Sequence, residues 1–222
     1  MAPLALRKAR FWVTLRFNEV EWRKFREGSG GVAHYTLITY GNDNTVILSG
    51  VPTKEYFEEL ISEEYRIGGV ITLTEPFETA GPKFISKEQW ISKGIEVFDE
   101  ITWVDYNNSP KAEELLKCVK FIFKIKSAGK RVLVHCKGGR SRSDTVVVAY
   151  LLYMQYRLNQ PINVDEAIEV IRRQRPQIKV SPNKLVGLRA FSDHLMQRRV
   201  PLPPTELFEY RVCLSVNKMF CL

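Results

Sequence analysis

The chain has 222 residues, of which 45% are hydrophobic, so it is long enough for one sizeable core and short for two. Four cysteines without short paired spacing and only three histidines argue against a structural zinc site and indicate a reducing compartment. A net charge of +8 favours polyanionic partners, namely nucleic acid, anionic lipid or a phosphorylated substrate.

Residues 1–27 form a basic N-terminal segment, in which Glu19 is the first acidic residue. Its arginines and aromatic residues are typical of an organelle-targeting or membrane-contact segment. On a helical wheel its apolar residues divide between two opposite sides, with Leu4, Phe11 and Leu15 on one and Leu6, Val13 and Phe17 on the other. An extended basic lead-in packed on the domain is therefore an equal alternative. No apolar run approaches the roughly 20 residues that span a bilayer, which predicts a soluble or peripheral protein.

Strand and helix patterns alternate after this segment. The sequence patterns predict strands over 44–50, 68–74, 94–105 and 131–136, and helices over 53–65, 109–130, 143–156, 163–175 and 181–199. This order predicts an α/β fold with a central, mostly parallel sheet flanked by helices. We place this domain over residues 28–199 and expect residues 200–222 to form a proline-containing C-terminal tail.

The segment HCKGGRSRS, residues 135–143, joins the last predicted strand to an apolar helix. In such a unit the loop amides and the helix N-terminus converge on one point and form an anion site. Gly138 and Gly139 let the backbone approach a ligand closely. Cys136 comes first in the loop, so the same dipoles should stabilise its thiolate and hold its pKa below the free value of about 8.5.

Arg142 and Ser143 complete this pattern. The planar fork of Arg142 can hold two oxygens of a tetrahedral anion, and Ser143 can donate a hydrogen bond to the sulfur. These residues favour a phosphate monoester as substrate and in-line attack on phosphorus by Cys136. An inert buried cysteine is a weaker alternative because it leaves the loop cations unexplained. A nucleotide-binding loop would need a Gly-Lys-Ser/Thr ending, which this sequence lacks.

The segment resembles the signature of the cysteine-dependent phosphatases, His-Cys-x-x-Gly-x-x-Arg-Ser, whose fixed positions are met by His135, Cys136, Gly139, Arg142 and Ser143. The resemblance implies catalysis by Cys136 and Arg142 without a metal or another cofactor. It implies phosphate binding by the loop, that is by Lys137, Gly138, Gly139, Arg140, Ser141, Arg142 and Ser143. Such enzymes also use an upstream aspartic acid on a movable loop to protonate the leaving oxygen. We expect Asp105, in WVDYNNSP, to have this role, with Asp99 as the weaker competitor.

A closer resemblance covers residues 28–197. The segments GGVITLTEPFET, WVDYNNSP, VHCKGGRSRS and IRRQRPQIKVSPNKLVGLRAF are similar, in this order, to the mitochondrial phosphatidylglycerophosphate phosphatases. This implies an anionic phospholipid substrate, peripheral membrane contact and synthesis of the cardiolipin precursor phosphatidylglycerol at the matrix face of the inner membrane. A dual-specificity protein phosphatase, a phosphoinositide phosphatase and a cytoplasmic location remain alternatives. No aromatic-interleaved basic platform points to nucleic acid, and the oligomeric state is left open.

Some residues near these segments depart from the family or allow two interpretations. Glu75 and Glu78 match acidic positions of the family, whereas Pro76 and Phe77 do not match it. Asp144, where a small apolar residue is usual, either caps the following helix or disfavours a dianionic substrate.

Other cations and one thiol are equally ambiguous. Lys137 and Arg140 either add charge at the mouth of the site or are solvated loop cations. The run RRQRP (172–176) with Lys179 is either a solvated helix face or a lipid contact. Cys118 is either a core residue or a partner that protects Cys136 by forming a disulfide.

Overall fold

The computed structural model describes residues 2–105 and 109–197. In this part of the chain the helices are α1 (Leu4–Arg26), α2 (Phe57–Leu60), α3 (Pro76–Thr79), α4 (Lys87–Ser92), α5 (Ala112–Ser127), α6 (Arg142–Arg157), α7 (Val164–Gln174) and α8 (Pro182–Gln197), and a 3₁₀ turn over Lys54–Tyr56 precedes α2. The strands are β1 (Tyr35–Tyr40), β2 (Asp43–Ser49), β3 (Ile67–Thr72), β4 (Glu96–Phe98) and β5 (Arg131–His135).

The five strands form one mixed sheet in the order β1-β2-β5-β3-β4. Only β1 and β2 pair antiparallel, and β5 lies in the middle, parallel to both β2 and β3. The sheet therefore confirms the predicted α/β fold with a mostly parallel sheet. Because ligands of such sheets bind beyond the carboxyl ends of the strands, the segment that follows His135 lies where a site is expected.

Alternate residues of the central strand face two different hydrophobic layers. Val132 and Val134 pack into a large cluster with the buried sides of α5, α6, α7 and α8. Leu133 faces the other layer, with Leu60 of α2 and Trp90 of α4. Side chains alternate between the two faces of a strand, so both faces of β5 are packed immediately before the loop that follows it.

Helix α1 packs on the domain with one side. Phe11, Leu15 and Trp22 are buried in a third cluster with Val51 and Phe84. The extended alternative for this segment is therefore wrong, whereas a role in targeting or membrane contact stays a prediction. Within the described residues, no helix has both the length and the hydropathy of a membrane span.

Two predicted elements are much shorter than expected, and the sequence patterns do not predict β1, α3 or α4. The helix over 53–65 is reduced to the 3₁₀ turn and α2, since the only buried hydrophobic residues of this segment are Tyr56, Phe57 and Leu60. The strand over 94–105 pairs only at Glu96–Phe98. Beyond it the chain leaves the ladder, yet the alternation persists because Ile101 and Trp103 insert into the core. The predicted tail, residues 200–222, lies outside the described residues.

Candidate active site

The loop between β5 and α6, residues 136–141, is called the Cys136 loop. Gly139 has a φ of +61°, and a Cβ added there would lie 2.5 Å from the backbone carbon of Ser49. A Cβ on Gly138 would lie 2.8 Å from the Asn18 side-chain nitrogen of α1. Both glycines are thus needed for close packing. Helix α6 begins at Arg142, directly after the loop, so the free N–H groups of its first turn point into the loop.

Cys136 is the first residue of the loop and is 3% exposed. Its Sγ lies 3.2 Å from Oγ of Ser143. Burial would raise the pKa of this thiol, but the charge of Arg142 and hydrogen bonds from Ser143 outweigh it, so the pKa lies below its ordinary value. The arrangement favours a thiolate, which is the nucleophilic form of cysteine.

Arg142 is fully buried, and its guanidinium donates hydrogen bonds to a carboxylate and to a backbone carbonyl. Nη1 and Nη2 donate to the two carboxylate oxygens of Glu78 at 2.5 and 2.8 Å, and Nη1 also donates to the Trp103 carbonyl at 2.9 Å. Burial would lower the pKa of Arg142, but Glu78 raises it above its ordinary value. Glu78 is itself fixed, because it accepts the backbone N–H of Glu75 in a capping box of α3.

Asp105 lies beside these groups, although the residues that follow it, 106–108, are outside the described part of the chain. Its Oδ2 accepts from Nζ of Lys137 at 2.5 Å, and its Oδ1 is 3.6 Å from Nε of Arg142. Burial would raise the pKa of this carboxyl, but Arg142 and Lys137 outweigh it and lower the pKa. Asp99, the weaker competitor, is exposed and pairs with Lys87 at 2.8 Å instead.

The two loop cations differ in their surroundings. Lys137 is 5% exposed and faces Asp105, so the interpretation as a solvated cation is wrong for this residue. Arg140 is half-buried, and its guanidinium lies 5.9 Å from the ring centre of Phe17 in α1. The N-terminal helix therefore contacts the Cys136 loop through Phe17 as well as through Asn18.

Two basic residues from later in the chain, Arg175 and Lys184, donate hydrogen bonds to the Cys136 loop. Arg175 is fully buried; its Nε donates to the Gly139 carbonyl at 2.9 Å and its Nη1 to Oγ1 of Thr36 at 2.8 Å. Lys184 donates from Nζ to the Ser141 hydroxyl. The expectation of a solvated face or lipid contact is thus wrong for Arg175. Sequence reasoning missed both supports, because they come from the helices α7 and α8, far along the chain.

Three further predicted residues are buried around the loop. Nε2 of His135 lies 2.9 Å from Oγ1 of Thr72, and burial lowers the pKa of this ring to about 4, so it is neutral at pH 7. Asp144 accepts the backbone N–H of Lys179 at 3.2 Å, and burial raises its pKa to about 7. Cys118 lies in the core on α5, as the simpler interpretation predicted.

A cavity of about 580 Å³ opens beside the loop, and we call it the α1 cavity. Its walls come from Leu6, Phe11 and Val13 of α1 and from Phe77 beyond β3. Its polar lining includes Arg7, Arg10, Glu75, Glu78, Asp105 and Lys137. A largely apolar space therefore leads to the carboxylate and the cation next to Cys136.

Comparison with known proteins decides the family. The model of the family described as "Dual specificity phosphatase, catalytic domain" matches residues 55–194. The chain belongs to the dual-specificity phosphatase family. It is therefore a cysteine-dependent phosphoric monoester hydrolase, as the signature in the Cys136 loop predicted.

Among relatives of this phosphatase, the rat protein named phosphatidylglycerophosphatase and protein-tyrosine phosphatase 1 is 34% identical over 198 residues, which cover 89% of this chain and 98% of the relative. The Arabidopsis thaliana phosphatidylglycerophosphate phosphatase PTPMT2 is 31% identical over 68% of this chain and 60% of the relative. A crystal structure of PTPMT1 in complex with PI(5)P, 35% identical, superposes with a TM-score of 0.63 over 70% of this chain and 95% of that one. The predicted resemblance is confirmed.

Proposed function

We propose that this phosphatase hydrolyses the phosphate monoester of phosphatidylglycerophosphate to give phosphatidylglycerol. The observation that carries the proposal is the α1 cavity, a largely apolar space whose lining includes Asp105 and, from the Cys136 loop, Lys137. Its volume is in the range of small-molecule sites, and Arg10 in its lining can contact the second, phosphodiester charge of such a lipid, whereas Arg7 pairs with Glu75. Similarity to phosphatidylglycerophosphate phosphatases from rat and Arabidopsis thaliana supports the same substrate.

In the first step of the proposed mechanism, the Cys136 thiolate attacks phosphorus. The N–H groups of the Cys136 loop and the guanidinium of Arg142 stabilise the negative charge on the phosphoryl oxygens in the transition state. Asp105, in its neutral form, donates its proton to the glycerol oxygen as the P–O bond breaks. A phosphocysteine forms and phosphatidylglycerol leaves.

In the second step, water attacks the phosphocysteine. Asp105, now a carboxylate, takes a proton from this water, and the S–P bond breaks to release inorganic phosphate. The thiolate that departs is stabilised by Arg142 and by the hydroxyl of Ser143, which lies 3.2 Å from the sulfur. Asp105 ends protonated and Cys136 ends as a thiolate, so the site is ready for another substrate.

A phosphoinositide is the second candidate substrate, because a solved structure of PTPMT1, 35% identical to this chain, is a complex with PI(5)P. Both candidates place a phosphate monoester beside a phosphodiester and an apolar body. We also propose that the protein acts in the mitochondrion, at the matrix face of the inner membrane, because its basic first helix suits import. Import of the full chain into isolated mitochondria tests this location.

The function is tested by phosphate release from phosphatidylglycerophosphate in mixed micelles, compared with PI(5)P and a phosphotyrosine peptide. The proposal expects the highest kcat/KM for phosphatidylglycerophosphate and no turnover in Cys136→Ser. Preference for PI(5)P would favour the second candidate. Preference for the peptide would refute a lipid substrate and leave the cysteine chemistry intact.

A further inference from the structure

Helix α1 has an exposed apolar stripe opposite its buried side. The four residues of this outer stripe are Leu6, Val13, Phe17 and Val20, and their exposed fractions are 60, 72, 58 and 39%. Spacings of seven, four and three residues place them on one face of a helix, opposite the buried Phe11, Leu15 and Trp22. A soluble domain seldom leaves such a contiguous apolar row in water without a partner for it.

Charge around the outer stripe indicates what that partner is. Helix α1 contains seven arginines and lysines and only two acidic residues, Glu19 and Glu21. These two are paired, Glu19 with Lys83 at 2.5 Å and Glu21 with Lys24 at 3.1 Å. Two of the cations, Arg7 and Arg26, pair with acidic residues outside the helix, and the helix as a whole stays basic. Two copies of this helix would bring like charges together if their stripes met. An anionic bilayer instead offers an apolar interior below a negative surface, which complements both features.

The outer stripe is continuous with the active site. Leu6 and Val13 also line the α1 cavity, whose far wall includes Asp105 and Lys137. Phe17 lies under the guanidinium of Arg140 in the Cys136 loop, 5.9 Å from its centre. The helix is anchored beside the site by Arg7, which pairs with Glu75. A lipid headgroup at the stripe would thus lie beside the cavity that reaches Asp105 and Lys137.

We propose that α1 is an interfacial helix: its outer stripe inserts into an anionic bilayer surface, and its flank guides the phosphate of a membrane lipid into the α1 cavity. This inference rests on the proposed lipid substrate and assigns to α1 the delivery of that substrate. The acyl chains remain in the bilayer while the phosphate monoester reaches Cys136.

Binding is measured with full-length Cys136→Ser protein and vesicles of phosphatidylcholine with or without phosphatidylglycerol. The test variant carries Val13→Gln, Phe17→Gln and Val20→Gln; the matched control carries Ile91→Gln, Val186→Gln and Met196→Gln, which remove similarly exposed apolar side chains elsewhere. We expect binding to the anionic vesicles that weakens with salt, at least about tenfold weaker binding by the test variant, and little change in the control. Equal binding by the two variants, or no binding by the parent protein, would overturn the inference.

Two measurements separate this inference from the proposed function. The first is the ratio of activity on vesicle-embedded phosphatidylglycerophosphate to activity on a soluble short-chain form, which should fall at least about tenfold in the test variant with active Cys136. An unchanged ratio would overturn substrate delivery by α1, even if both forms are hydrolysed and the proposed function stands. Vesicle binding without hydrolysis of either form would refute the proposed function. The second is sedimentation equilibrium: a dimer that the test variant loses would assign the stripe to a second copy and overturn a lipid occupant.

Discussion

Glu78 is predicted to stabilise the fold and to orient the catalytic arginine at the same time. Its two carboxylate oxygens accept from Nη1 and Nη2 of Arg142, and neither side chain is more than 2% exposed. Removing one partner of such a buried pair costs about 3–5 kcal/mol, because a charge is left without its counterion. Glu78→Gln keeps one acceptor and can keep the capping box of α3, so we expect a loss near the lower end, about 3 kcal/mol.

The same substitution should lower kcat. Arg142 would keep its hydrogen bond to the Trp103 carbonyl, but it would lose the bidentate contact that fixes the plane of the guanidinium. A displacement of about 1 Å at such a group can reduce the rate by up to about a hundredfold. Urea unfolding at pH 7 measures the stability, and turnover of a soluble aryl phosphate measures kcat.

Glu75→Gln is the matched control, because Glu75 begins the same short helix but pairs with the partly exposed Arg7. This pair is less buried than the pair between Glu78 and Arg142, because its side chains are 23% and 11% exposed, so its loss should destabilise the fold less. An equal loss of stability in the two variants would refute the assignment of the buried charge pair. An unchanged kcat in Glu78→Gln would refute its role in orienting Arg142.

Three further predictions concern single ionisable residues. Asp105→Asn should reduce kcat about 10²- to 10⁴-fold for alkyl phosphates and much less for a leaving group that needs no proton; equal losses for both would contradict the acid role. Iodoacetamide at pH 7 should label Cys136 before Cys118, whose pKa burial raises to about 12, as mass spectrometry of peptides can measure. Asp144 has a folded pKa of about 7, above its ordinary 3.8, so the unfolded chain releases this proton first and the free energy of unfolding should fall as pH rises between these values. Asp144→Asn should flatten that part of the stability curve in urea titrations, and an unchanged curve would contradict the assignment.

The part of the site that sequence predicts well is contiguous in the chain. The residues from Arg131 to Ser143 form a strand, a loop and a helix start, so the local pattern contains the proposed nucleophile, the proposed anion loop and Arg142 together. Asp105 could be predicted because it follows the segment that leads out of the sheet. These parts depend on short-range geometry, which the order of residue types specifies.

The remaining parts depend on contacts between distant segments. Arg175 is 36 residues from Gly139, the residue whose carbonyl it binds. Its sequence context, a basic run after an amphipathic helix, is typical of a solvated surface, and only tertiary packing buries it. The sequence of α1 does not distinguish a packed helix from an extended segment, for a different reason. Its apolar residues lie on two sides and hide the amphipathic pattern that a single buried side would give.

The pair between Asp105 and Lys137 poses a question that binding can answer. The proposed mechanism needs a neutral Asp105, yet Arg142 and Lys137 outweigh burial and lower the pKa of this carboxyl. A dianion in the Cys136 loop would compensate those cations and add a like charge nearby, so the pKa of Asp105 should rise. Sulfate is a suitable probe because it stays a dianion near pH 5, about one unit above the ordinary pKa of 3.8. Calorimetry of sulfate binding to Cys136→Ser in two buffers of different ionisation enthalpy should reveal proton uptake, up to about one proton per sulfate. The uptake should disappear when Asp105→Asn is added, and equal uptake by the two proteins would refute substrate-induced protonation of Asp105.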